Sequence, residues 1–295
     1  MAITSAPQTH TPIQPPSNGI QATATVVRAD APDDGRYVSK ADYWAIYYDH
    51  ADASYEWNDG YLEAKPSPNP AQYNLYLWFL FLLKQYIQVY RNGELMGLET
   101  GFSLTVPDLK LPGRLKETVR KPDIAVIRHD NPVVWGDADR SYAGICDLCI
   151  EILSDSAKGE IERDTKVKKA EYEFAGVQEY YILDAGQDYM HFYQRTAAGV
   201  YTEIRPDQEG IIRSNILPGF QFRVRELHQK PRLELLALDA VYQPYVLLDY
   251  QASLLRAETE RRIAETERKR AEALEAELAQ ARAELARLRG TTPSE

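Results

Sequence analysis

A chain of 295 residues, 44% of them hydrophobic, is long enough to bury a substantial core. Its formal charge of -10 excludes indiscriminate coating of nucleic acid, which needs Lys and Arg to neutralise phosphates, so any contact with DNA has to be local. The most apolar run, Leu75 to Leu83, is less than half of the roughly 20 residues that span a bilayer and stops at Lys84-Gln85, so it reads as a buried helix.

Residues 1–36 are rich in Pro, Thr, Ser, Gln and Ala and poor in large apolar groups, which predicts a disordered arm. The folded domain is expected from Tyr37 to Arg225. Ser39 to Asp42 can cap a short helix, and Tyr55 to Leu62 reads as two strands around an Asp59-Gly60 turn. After Pro70 a long apolar helix should end near Asn92-Gly93. Strand character follows at Gly101 to Val106, Ile124 to Ile127, Leu148 to Leu153, Tyr180 to Leu183 and Met190 to Tyr193. A helix from about Gly159 to Ala175, closed by Gly176, lies between the third and fourth of these, which suggests a crossover unit inside a mixed sheet. Residues 226–253 read as a linker.

From Leu254 to Arg289 the chain is dense in Ala, Glu, Arg and Leu, with no Pro or Gly, and reads as one long helix. Leu274, Leu278, Ala281, Leu285 and Leu288 alternate steps of four and three, the seam of a short coiled coil. A homodimer or larger assembly, or another coiled-coil partner, is the expectation; a solvated single helix is the alternative. With only Cys146 and Cys149 and no secretory leader visible, a reducing cytoplasm is the expected compartment.

The residues that carry chemistry are acids in apolar strands. Leu148-Cys-Ile-Glu151-Ile-Leu153 puts a carboxylate in a run as apolar as a sheet interior, and a buried carboxylate is paired, metal-bound or at a cleft edge. Lys121-Pro122-Asp123 places another at the mouth of a second apolar strand. If the strands are neighbours, Asp123 and Glu151 can hold one hard cation and leave room for water and a phosphate. Asp164, Lys168 and Tyr172 recur every four residues on one helix face, so an ammonium can reach back to the Glu151 strand and stabilise charge on a phosphorane. Glu56, before the Asp59-Gly60 turn, can add a further carboxylate to the metal or to its water shell.

In order along the chain, Tyr55-Glu56 with Asp59-Gly60, Pro122-Asp123, Glu151-Ile-Leu-Ser154, Asp164, Lys168, Tyr172, Gly176-Val177 and Glu179-Tyr180-Tyr181 running into Leu183-Asp184 resemble the Uma-two-type restriction endonucleases, within the PD-(D/E)xK superfamily. The resemblance implies a restriction-endonuclease-like α/β fold, a mixed sheet flanked by helices. It also implies hydrolysis of DNA with Mg²⁺ or Mn²⁺, metal ligation by Asp123 and Glu151, an assisting acid at Glu56, and a catalytic lysine at Lys168. Two positions depart from the pattern. Leu153 stands where the superfamily's usual lysine follows the second acid, and Gln72 stands where the family tends to have a histidine. A catalytically silent module using the nuclease fold for binding or assembly is therefore the alternative function.

Competing interpretations stay open from sequence alone. Lys166 and Lys169 compete with Lys168, and Glu151 can be half of a structural ion pair. Lys110, Arg114, Lys116, Arg120 and Lys121 can follow a DNA backbone or form a solvated loop. Cys146 and Cys149, three apart, should face opposite sides of a strand, and no second pair completes a zinc site. The histidines show no metal or triad spacing.

Overall fold

The computed structural model describes residues 31–97, 99–153, 158–186 and 188–289; most of the N-terminal arm therefore lies outside the described residues. Ala31 is buried, the Asp34 carboxylate accepts from the Ala64 amide at 2.8 Å, and Gly35 N donates to Leu62 O, so residues 31–36 pack along the first hairpin. The arm expectation does not extend to them.

A short helix, α1 (Lys40–Asp42), is capped by Ser39 and continues as a π-helical turn, Tyr43–Tyr47. β1 (Tyr55–Asn58) and β2 (Tyr61–Ala64) form the expected hairpin, with positive φ at both Asp59 and Gly60, as the twist of a two-residue loop demands. A side chain at Gly60 would also collide with the Tyr37 ring. Pro66, Ser67 and Pro68 lead into α2 (Pro70–Tyr90), whose start is fixed by a capping box between Asn69 and Gln72.

β3 (Gly93–Met96), β4 (Phe102–Pro107), β5 (Leu115–Arg120), β6 (Ile124–Arg128) and β7 (Leu148–Leu153) follow. Next come α3 (Lys158–Glu162), a π-helical turn over Arg163–Lys168, α4 (Lys169–Ala175), β8 (Glu179–Asp184), β9 (His191–Arg195) and β10 (Tyr201–Glu203). The strands sort into an antiparallel sheet, β2-β1-β5-β4, and a mixed sheet, β10-β9-β8-β7-β6-β3. Among the described strands only β7 and β8 pair in parallel, and the helical segment between them is the predicted crossover. Gly176, at φ 101°, ends α4.

The mixed sheet is covered on both faces. Ile124, Val126, Leu148, Ile150, Tyr181 and Leu183 pack against Leu75, Phe79, Leu82 and Tyr86 of α2. The alternate residues, Ala125, Ile127, Cys149, Leu153, Tyr180 and Ile182, meet Phe102, Leu104 and Val106 of β4 and Tyr172 of α4. Glu151 belongs by alternation to this second face, inside an apolar layer. Cys146 and Cys149 are free, buried in that one cluster rather than on opposite sides, because Cys146 precedes β7 and does not follow its alternation.

Beyond β11 (Ile211–Arg213) and β12 (Gln221–Arg223), the segment expected to be a linker is part of the core. α5 (Val224–Gln229) and α6 (Leu233–Leu236) bury Leu227 and Leu236, and Val241, Tyr242, Tyr245 and Val246 close over α2. The Trp78 indole donates to Pro231 O at 2.9 Å and the Tyr86 hydroxyl to Pro218 O at 3.0 Å, which ties this cover down. The last helix, α7 (Leu248–Arg289), starts six residues earlier than expected, and Leu274, Leu278, Leu285 and Leu288 stay exposed along it. No described helix is long and apolar enough to cross a membrane.

Candidate active site

The two sheets meet where β5 ends and β6 begins, so Arg120 lies in one sheet and Ile124 in the other with Lys121, Pro122 and Asp123 between them. The antiparallel register Ile124↔Ile150 places Asp123 beside the Glu151 end of β7. There Asp123 Oδ2 accepts from the Ile152 amide at 2.8 Å, and Oδ1 lies 2.9 Å from the Lys65 ammonium. Lys65, at the end of β2, also donates to Lys121 O at 2.5 Å. Burial opposes its charge, but Asp123 and Glu151 prevail and hold its pKa above the ordinary value.

Lys168 is buried at the end of the π-helical turn, and its Nζ lies 3.0 Å from Glu151 Oε1, 3.2 Å from Glu56 Oε1 and 3.2 Å from Asp164 Oδ1. One ammonium thus joins acids from a strand of each sheet and from its own helical segment. The Tyr172 hydroxyl, one turn on, donates to Glu151 Oε1 at 3.0 Å. Lys166 instead pairs with Glu162 in solvent, and Lys169 sits 4.2 Å over the Tyr193 ring. Geometry therefore puts Lys168 in the cluster and its two neighbours outside it.

Glu56 has both oxygens engaged. Oε1 accepts from the Lys121 amide at 2.9 Å besides meeting Lys168, and Oε2 takes Arg120 Nη1 at 3.1 Å. Arg120, fully buried, also reaches Glu63 and makes a two-pronged contact with Glu171 at 2.7 and 3.0 Å. It separates two like charges, because Glu56 and Glu63 are directly opposed across the β1-β2 ladder.

Burial governs the protonation of these groups. Desolvation pushes Glu151 up to about 8; Lys168 opposes the rise, while Asp123 and Asp164 add to it. Glu56 is buried as deeply, but Lys168 and Arg120 hold it well below the usual carboxylate range. Lys168 keeps its proton strongly, its burial outweighed by Asp164, Glu151 and Glu56.

A cleft of about 240 Å³ opens onto Lys65, Asp123, Glu151, Asp164 and Lys168, with Gln72, Tyr76, Glu99 and Arg163 on its walls. Gln72 donates to Leu153 O at 2.8 Å and, through its side-chain oxygen, closes the α2 capping box, which is a positioning role needing no proton transfer. Sequence reasoning missed Lys65, Arg120 and Glu171 as members of this network. None is near its partner in the chain: Lys65 and Asp123 are 58 residues apart, Arg120 and Glu171 are 51. The basic stretch, open between a DNA track and a solvated loop, is divided: Lys110 and Arg114 are exposed and its other basic residues are not. Arg120 and Lys121 are buried, Lys116 pairs with Glu171 at 2.8 Å, and Arg114 is engaged by Asp59 and Asp108.

Adjacent strands of the mixed sheet thus present Asp123 and Glu151 beside the helix-borne Lys168. The chain belongs to the Uma2 family, whose model, described as "Putative restriction endonuclease", matches residues 41–225. Among solved structures it is similar to one described as a putative nuclease belonging to DUF820 from Anabaena variabilis ATCC 29413. The identity is 13%, covering 65% of this chain and 98% of that chain, with a TM-score of 0.49. No curated protein matches.

Proposed function

We propose that the chain is a divalent-metal-dependent endonuclease that hydrolyses DNA phosphodiester bonds at the Asp123, Glu151 and Lys168 cluster. The observation that carries this reading is the burial of one ammonium against Glu151 and Glu56 beside a cleft that also holds Asp123. A purely structural pair would not need such a cleft.

The donor set suits a hard cation. Mg²⁺ takes oxygen ligands and is commonly held by one or two carboxylates, its remaining places going to water and substrate phosphate. No group of three or more His, Cys, Asp and Glu side chains fit to hold a metal occurs among the described residues, and two carboxylates meet the lesser demand. Burial chiefly raises the proton affinity of Glu151 and the Asp123 and Asp164 charges add to it, a cost to the carboxylate that a bound cation would offset. Asp123 and Glu151 are the assigned ligands. When bound, the ion lowers the pKa of a coordinated water and neutralises phosphate charge.

Lys168 remains protonated, so its part is to stabilise the phosphorane oxygens rather than to accept a proton. Glu56, with both oxygens already engaged, holds Lys168 in place, a positioning role in preference to metal ligation. The test is incubation of the purified chain with supercoiled plasmid and Mg²⁺ or Mn²⁺. The expected result is nicking that falls on the order of 10²-fold or more in Asp123→Ala, the scale set by loss of one group that stabilises transition-state charge. Absence of nicking by the unmodified chain, or equal nicking by the variant, contradicts the proposal and favours a silent binding module.

A further inference from the structure

The Lys65 ammonium stands on the oxygen that a divalent ion would need. Its Nζ is 2.9 Å from Asp123 Oδ1, while the other carboxylate oxygen is committed to the Ile152 amide. Its position is fixed from both ends. The Lys65 amide donates to Ser54 O at 2.9 Å, anchoring the backbone beside β1, and the ammonium is held by Lys121 O at 2.5 Å. Pro66 follows immediately, restricting the conformation of Lys65 itself. The side chain nevertheless lines the cleft and keeps about 11% of its surface exposed, so it has an exit.

We infer that Lys65 is a built-in counter-cation of Asp123, which a divalent ion must displace before it can use that carboxylate. The inference rests on the metal reading above and adds a mechanism of loading to it. Like charges repel steeply at such separations, most of all where water is scarce, so an ammonium and a divalent ion do not share Asp123 Oδ1 without cost. A lysine suits the task because its charge is compact and its stem flexible, so it can swing off the carboxylate without moving the strand. Once released towards the cleft, the ammonium has the substrate phosphate as its alternative partner, so that ion and DNA favour each other's arrival. At rest the acid is neutralised and the fold is spared an uncompensated carboxylate.

The test is calorimetric titration of the full chain with Mn²⁺, comparing the unmodified protein with Lys65→Met, Lys65→Gln, Lys65→Arg and Asp123→Asn. Removing the charge should tighten Mn²⁺ binding at least tenfold in both Lys65→Met and Lys65→Gln, a change of about 1.4 kcal/mol. Lys65→Gln keeps a donor for Lys121 O and Asp123 and guards against misfolding of the methionine variant. Lys65→Arg, which retains a cation, should bind as weakly as the unmodified chain. Equal affinity in the unmodified and charge-free proteins, with Mn²⁺ lost in Asp123→Asn, overturns the competition and leaves the metal site standing. No Mn²⁺ binding in any of them, the charge-free variants included, overturns both.

Discussion

Replacing Arg120 by leucine is expected to destabilise the folded chain by about 3–5 kcal/mol, the range for breaking a buried ion pair by removing one partner. The guanidinium is fully buried and touches Glu56, Glu63 and Glu171, which come from two strands and a helix. Leucine would leave three carboxylates with Lys168 and Lys116 as their nearest compensation, and two of the acids are directly opposed across a ladder. Arg120→Lys should recover only part of the loss, because one ammonium cannot reproduce the two-pronged contact with Glu171. Urea denaturation followed by circular dichroism reads the effect. Arg114→Ala, which breaks only exposed pairs with Asp59 and Asp108, should stay within about 0.5 kcal/mol. Similar midpoints for the Arg120 and Arg114 variants would show that the buried network contributes little.

The second large effect is expected from Glu151→Gln, in opposite directions for activity and stability. Nicking should fall on the order of 10²–10³-fold, since the amide carries no charge for a cation or for Lys168. The fold should gain. Burial keeps the Glu151 carboxyl protonated in the folded chain up to about pH 8, whereas the same group ionises near 4.5 when unfolded. Between those values the unfolded chain binds fewer protons, so stability is greatest below about 4.5, declines as pH rises towards 8 and levels off beyond it. Glutamine removes that decline, so the variant should gain in stability on the unmodified chain as pH rises from 5 to 8. Thermal unfolding from pH 5 to 8.5 checks it; parallel slopes for the two proteins would contradict the assignment. A site residue whose removal stabilises the fold is what a strained functional cluster predicts.

The central strands and the crossover are legible because each rests on a local pattern. β6 and β7 are apolar runs interrupted by a single acid, and Asp164, Lys168 and Tyr172 recur at the helical period. The hairpin follows from Asp59-Gly60 alone. What escaped is set by contacts distant in sequence. Lys65 follows a four-residue strand and has no neighbour that hints at Asp123, and Arg120 with Lys121 looks like a surface basic pair until Glu56 and Glu171 close on Arg120 and Tyr48 covers Lys121. β3 and β10 to β12 are too short to show an alternation. The segment 226–253 is misread as a linker although Leu233 to Leu248 is densely apolar, because its helices are only a few residues long and its apolar groups have no partner until Tyr242, Tyr245 and Val246 fold back over α2. Glu56 shows how far sequence reaches: it locates an acid, but not that Arg120 and Lys121 already engage it.

The most direct test is a Mn²⁺-soaked crystal of the chain, read by anomalous scattering. One strong peak is expected in the cleft, within about 2.0–2.4 Å of a carboxylate oxygen from both Asp123 and Glu151, with the Lys168 ammonium alongside. A peak ligated by only one of the two acids, an ion seated on Glu56 instead, or an empty cleft at saturating Mn²⁺ would contradict the proposed site.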